Sequence, residues 1–402
     1  MARLWSAGAE FNSLSAGFEF GVSFGTPVIS SAVKRSGSYS LSIPSLTTLT
    51  AKGVRYQFAS PSSNGALFFR VYFRVDTLPL LETAIINLND ADDNATPVVY
   101  ITLDATGALA LFDEDGQIGS DSSALSTATW YRIEIEYDRT GAAGAHIVRA
   151  RIDGTEFAGA ANRDLSVGIQ FWAVGGNLDG SANATGVWYF DDWAINNSSG
   201  SFQNSYPGEG EIIILRPNGA GDNTTWTRGG TDTGANWDQV NDITHDDAGT
   251  YVESNTSGEI DDYNIEDTPA ALESTDTINC VQVGVRSAVS DTTGGDPDVT
   301  LRIKASSGGT LEESASLNVS VLAYRTNNNA INTYALTLYD LPGASTTAWT
   351  KADLDQAQIG IRESETDTHF ARVSNLWLLV DHKPGAAAQA TRKFQRASVL
   401  GN

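Results

Sequence analysis

A chain of 402 residues, 41% of them hydrophobic, is long enough for two globular units of roughly 150–200 residues, each with its own core. The net charge of −24 argues against nucleic acid or anionic membrane as a partner of the main body, and a single cysteine excludes an intrachain disulfide or a cysteine-built zinc site. No apolar run approaches the roughly 18 residues of a membrane span, and the opening Met-Ala-Arg-Leu-Trp-Ser-Ala-Gly has no apolar stretch, so no secretory signal is expected.

Strand signals dominate from the start. Residues 39–43 alternate, and the next run is longer: Leu67, Phe69, Val71, Phe73 and Val75 face one way, Phe68, Arg70, Tyr72 and Arg74 the other. Residues 130–138 repeat the pattern, with Ile133, Ile135 and Tyr137 towards a core and Arg132, Glu134, Glu136 and Asp138 away from it. Further strands are expected over 148–152 and 187–195. Between these runs stand turn formers: Ser36-Gly37-Ser38, Asp115-Gly116, Thr140-Gly141, Asp153-Gly154 and Asp179-Gly180. A polar, breaker-rich stretch over 197–210 marks a boundary. Beyond it, Ile212 to Leu215 opens a second set of strands. Cys280 sits in an alternating run as a small buried hydrophobe, and residues 350–355 allow one short turn of helix. The set closes at residues 376–380, before Pro384.

These elements predict an all-β chain of two tandem β-sandwich or jelly-roll domains with a short basic C-terminal tail. The first domain is read as 1–198, a flexible linker as 199–210, the second domain as 211–383 and the tail as 384–402. Charge follows the division unevenly: residues 1–208 carry −9, residues 209–382 carry −19, and the last twenty carry +4.

The first domain resembles the concanavalin A-like lectin/glucanase superfamily in its laminin-G-like form. Three stretches carry the likeness. Residues 34–41 look like its Gly-containing opening hairpin, residues 130–138 like its W-x-x-I-x-I-x-Y-D strand, and Val187-Trp188-Tyr189-Phe190-Asp191-Asp192-Trp193 like its closing aromatic-Asp-Asp run. The second domain resembles a module of uncharacterised tailed-phage virion proteins, through residues 236–242, 247–252, 261–263 and 348–354. That resemblance implies a virion component.

Several residues are candidates for chemistry. Glucanases of the superfamily carry acids two apart on one strand, and Glu134, Glu136 and Asp138 share that spacing. Their order, Glu-Ile-Glu-Tyr-Asp, departs from the enzymes' Glu-x-Asp-x-Glu, and Arg132 shares the face, so a solvated face without catalysis is expected. Phe68, Arg70, Tyr72 and Arg74 form a candidate glycan platform, rings for stacking beside arginine donors. Acid clusters at Asp90, Asp92 and Asp93, at His245, Asp246 and Asp247, and at Asp261 and Asp262 are candidate calcium positions, but none has the spacing of a calcium loop, and no cofactor is expected. His146, His245, His369 and His382 are scattered and suggest no triad. In the tail, Arg392, Lys393, Phe394 and Arg396 form a candidate docking arm.

The expectation is a non-catalytic phage virion protein, a surface-displayed capsid decoration or fibre-like component. Its partners would be other virion proteins or further copies of itself. Two rivals remain open: host adsorption through glycan bound by the first domain, and, further off, a glycoside hydrolase.

Overall fold

The computed structural model turns the alternating runs into two sets of antiparallel sheets. It describes residues 3–14, 19–44, 50–58, 60–62, 65–90, 97–178, 185–199, 202–231, 233–244, 246–291, 296–321, 336–338 and 348–386. The chain divides into two units, the first running to Glu209 and the second beginning at Gly210.

In the first unit, an eight-stranded sheet runs through Thr155–Arg163, His146–Ile152, Trp130–Asp138, Ala66–Thr77, Val187–Asn197, Ser40–Ile43 and Val28–Ser30, with Arg3–Ala7 also paired to Val187–Asn197. A seven-stranded sheet runs through Gly116–Ile118, Leu109–Asp113, Val99–Leu103, Thr83–Asn89, Phe171–Gly176, Lys52–Gln57 and Val22–Phe24. The inward sides of the two sheets supply the core. Phe69 meets Trp172 edge-on at 5.2 Å, and Trp5 packs against Phe20, Tyr56 and Trp172. Burying each such ring contributes on the order of 1.5–3 kcal/mol, which is why the inward set is almost unbroken aromatic and branched aliphatic.

The closing strand Val187–Asn197 bulges where it passes Asp191 and Asp192. Asp191 pairs with Tyr72, and pairing resumes only at Ala194 with Arg70. Asp192 takes φ 52, and its carbonyl accepts a bond from Arg70 Nε at 3.1 Å. The extra residue leaves Phe190 and Trp193 both in the core.

The second unit has two six-stranded sheets. One runs through Thr227–Gly230, Thr250–Ser254, Ala371–Lys383, Thr277–Val289 and Leu336–Leu338, with Glu211–Leu215 also paired to Ala371–Lys383. The other runs through Pro217–Thr224, Ile260–Ile265, Gln358–Glu363, Asp298–Lys304 and Leu311–Glu313, with Leu317–Asn318 also paired to Asp298–Lys304. Val281, Val283, Leu376 and Leu378 belong to one core with Leu301, Ile303, Ile359 and Ile361. The one α-helical turn among the described residues, Lys351–Leu354, starts in a capping box. Thr350 accepts from the Asp353 amide while Asp353 accepts from the Thr350 amide, and Leu354 plugs into the core. Cys280 is buried in the Thr277–Val289 strand.

Candidate functional site

The candidate acids and the candidate platform lie on one face, the outward side of the eight-stranded sheet. Register sets them in rows. Arg149, Glu136, Phe68 and Asn196 lie side by side across four strands, and Arg151, Glu134, Arg70 and Ala194 form the next row. Arg132, Tyr72 and Asp191 make the third.

This face is not solvated, which corrects the expectation from sequence. Glu134 is 1% exposed, Glu136 7% and Arg70 0%, and Phe68 and Tyr72 are also buried. Arg74, Arg132 and Asp138 are half-buried, and Arg74 pairs with Asp76 at 2.6 Å. The cause is the segment read as a flexible linker. Residues 203–208 lie against this face, and Asn196 Nδ2 donates to the Ser205 carbonyl at 2.8 Å. The Tyr206 ring lies 5.1 Å from the Phe68 ring, and the Arg151 guanidinium sits 3.6 Å over its centroid. Its hydroxyl donates to Glu136 at 2.7 Å, and the Gly208 amide donates to Glu134 at 2.8 Å. Burial and the Glu136 carboxylate raise the Tyr206 phenol above its usual range, so it stays a donor. Over Tyr72, the cover is the Arg35 guanidinium, 3.3 Å from the ring centre. Phe68, Arg70 and Tyr72 therefore present no open platform.

The two acids also have separate partners within the sheet. Glu134 accepts from Arg132 at 3.0 Å and Glu136 from Arg149 at 3.0 Å. Asp138 lies apart from them and accepts from the Thr140 amide at 2.7 Å, closing a turn.

Sequence reasoning missed a second acid group, built around the bulge of the closing strand. Asp191 accepts from the Arg35 amide at 2.8 Å, while Asp192 pairs with the Arg35 guanidinium at 2.6 Å and accepts from Ser36 Oγ at 2.7 Å. Glu10 accepts from the Ser38 and Tyr39 amides, and Glu19 from the amides of Gly8 and Phe11. Burial, with Glu19 and Asp192 adding charge, pushes the Glu10 carboxyl up to about 8. Burial and Asp192 raise Asp191 as well. The doublet of acids in the closing run was the available signal, but their partners lie some 155 residues earlier.

The other candidates disperse. Asp261 accepts from the Trp226 amide, Asn236 and the Tyr263 hydroxyl, whereas Asp262 pairs with Arg302 at 3.1 Å and Lys304 at 2.9 Å. Asp246 bonds Thr250, and Asp247 pairs with Arg286. Asp92, Asp93 and His245 lie outside the described residues, as do Arg392, Lys393, Phe394 and Arg396. His146 accepts from the Leu165 amide, His369 bonds Asp367, and His382 bonds Asp276. Among the described residues no group of three or more His, Cys, Asp or Glu side chains is arranged to hold a metal ion.

The outward side of the seven-stranded sheet is different in kind. Tyr100 and Phe112 stack at 4.8 Å, Arg55 sits 4.7 Å over the Phe171 ring, and Asn87 and Asn89 lie between these strands. Among the described residues the buried Oδ1 atoms of Asn87 and Asn89 meet no donor.

No family model matches the chain, and no curated protein matches it. Among solved structures it is similar to a cellulose-induced protein, at 15% identity and a TM-score of 0.33, over 42% of this chain and 84% of that one. It is similar to a Trypanosoma rangeli sialidase at 9% identity and a TM-score of 0.35, over 48% of this chain and 30% of that one. A family 7 alginate lyase gives 12% identity and a TM-score of 0.32, over 39% and 80%. Likenesses this distant say nothing of activity. What the chain's own sheets define is an all-β protein of antiparallel, jelly-roll-like sandwich units.

Proposed function

We propose that this is a non-catalytic structural protein of a phage particle, a surface-displayed capsid decoration or fibre-like component that works through protein–protein contacts. The observation that carries the non-catalytic part is the closure of the Glu134–Glu136 pair. Each acid is held by an arginine and then covered by a donor from the chain itself, so both are buried rather than open to a substrate. The virion part is supported by the resemblance of the second domain's sequence stretches. The acidic body and basic tail suit docking of residues 384–402 on an acidic neighbour. Mass spectrometry of purified particles should find the protein at fixed stoichiometry, and deleting residues 387–402 should lower its incorporation severalfold. Recovery only outside particles would defeat the reading.

A second reading, host adsorption through glycan, is favoured by one feature: the Tyr100–Phe112 stack beside Asn87 on the outward side of the seven-stranded sheet, a ring platform on which a sugar can stack. Glycan-array binding that Asn87→Ala and Phe112→Ala abolish would establish it, and an array without hits would remove it.

A further inference from the structure

The cover over Phe68 is built like a bound ligand rather than like a linker. Residues 203–208 form no strand with the sheet beneath. At one end the Gln203 side chain and the Ser205 carbonyl accept from Arg3 and Asn196, and over the groove the Tyr206 ring and hydroxyl and the Gly208 amide and carbonyl make the contacts. The ring is sandwiched between Phe68 and Arg151, and the hydroxyl and amide reach the two carboxylates. The Gly208 carbonyl accepts from Arg70 at 3.4 Å. Gly208 takes φ +70, a conformation natural to glycine, and it is the residue whose amide must reach Glu134.

We propose that this face is a recognition groove for a tyrosine-bearing extended segment, kept closed by the chain's own residues 203–208, and that the partner it fits is the same segment of a second copy. The receptor side does not depend on its occupant. Arg132 orients Glu134 and Arg149 orients Glu136, both from within the sheet, so the groove is preformed. Leaving it uncovers no inward-facing core residue, because every group involved lies on the outward side. Exchange between copies remakes identical contacts, so local concentration decides the outcome. The short tether holds its own segment at an effective concentration on the order of millimolar, and only copies packed that densely, as on a repetitive surface, would compete. The inference deepens the reading of a protein that acts through contacts and rests on it.

The test uses the full chain carrying Tyr206→Ala, which vacates the groove, and a fluorescent peptide of residues 202–210. Fluorescence anisotropy should show the peptide binding this variant at least tenfold more tightly than the wild type. The peptide with Tyr206→Phe should bind severalfold more weakly, having lost the bond to Glu136. Equal binding to both chains, or indifference to the hydroxyl, overturns the proposal. If Tyr206→Ala does not fold, amide exchange in the wild type and in Tyr206→Phe decides. The Gly208 amide should be protected at least tenfold in the wild type and less in the variant, and an unprotected wild-type amide overturns the groove. None of these results depends on whether the protein is found on particles, so the two readings fail separately.

Discussion

Residues that carry charge into the interior divide by how they are answered. Glu10 accepts from the Ser38 and Tyr39 amides and is buried near other acids, so its carboxyl holds a proton up to about pH 8, against 4.5 for an ordinary glutamate. A raised acid binds more protons folded than unfolded across that window, so it contributes stability below about pH 4.5 that is lost as pH rises towards 8. The melting temperature of the first unit should therefore fall from pH 5 to pH 8. Glu10→Gln should flatten that slope, and an unchanged slope would refute the assignment. Asp262 is answered by two cations, Arg302 and Lys304, both nearly as buried as itself. Asp262→Ala leaves each cation with one carboxylate more exposed than Asp262, and by analogy with broken buried pairs should cost the second unit about 3–5 kcal/mol in chemical denaturation. A loss under 1 kcal/mol would mean that Glu313 and Asp222, which also contact those cations, suffice without it. Of this chemistry the sequence disclosed only which face each acid takes. Period two put Glu134 and Glu136 outward correctly, but whether an outward face meets water depends on segments far along the chain.

Elements were more legible than their surroundings. The Trp130–Asp138 strand has the bounds its alternation predicts, because every second position is apolar. The closing strand of the second unit was read from residues 376–380 yet spans Ala371–Lys383. Ser374, Asn375, Asp381 and His382 interrupt the apolar run although all four are buried. Composition cannot announce polar residues whose partners lie elsewhere in the fold, as Asp242 does for Asn375, Asn279 for Asp381 and Asp276 for His382. Close approach between elements was equally silent. At Gly284 an added Cβ would lie 2.1 Å from the buried indole of Trp377 across the strand pair, so Gly284→Ala should destabilise the second unit by about 1–3 kcal/mol. A neutral result in denaturant titration would show that the indole can move aside. The helical turn was legible through its cap, and Thr350→Ala should cost about 1 kcal/mol by the same measurement. No cost would place the turn's stability in Leu354 alone.

For the whole molecule, the polar stretch over 197–210 gave the boundary but hid its character. Composition marked it as breaker-rich; only the folded sheet, which sets Glu136 and Glu134 side by side on one face, gives Tyr206 and Gly208 their partners. Limited proteolysis should accordingly yield an N-terminal fragment that retains Gly208, with cleavage by a glutamate-specific protease after Glu209. Fragments ending between 198 and 203 would show the segment undocked. The docking also has a mechanical side. Tension applied to the chain at Gly210 reaches Tyr206 and Gly208 before it reaches Asn197, the end of the Val187–Asn197 strand. Six residues peeled free, at about 3.3–3.6 Å each, release roughly 20 Å of slack before any strand is loaded. A sideways pull is thus met first by a small sacrificial bond that can re-form, and the sheet behind it is spared.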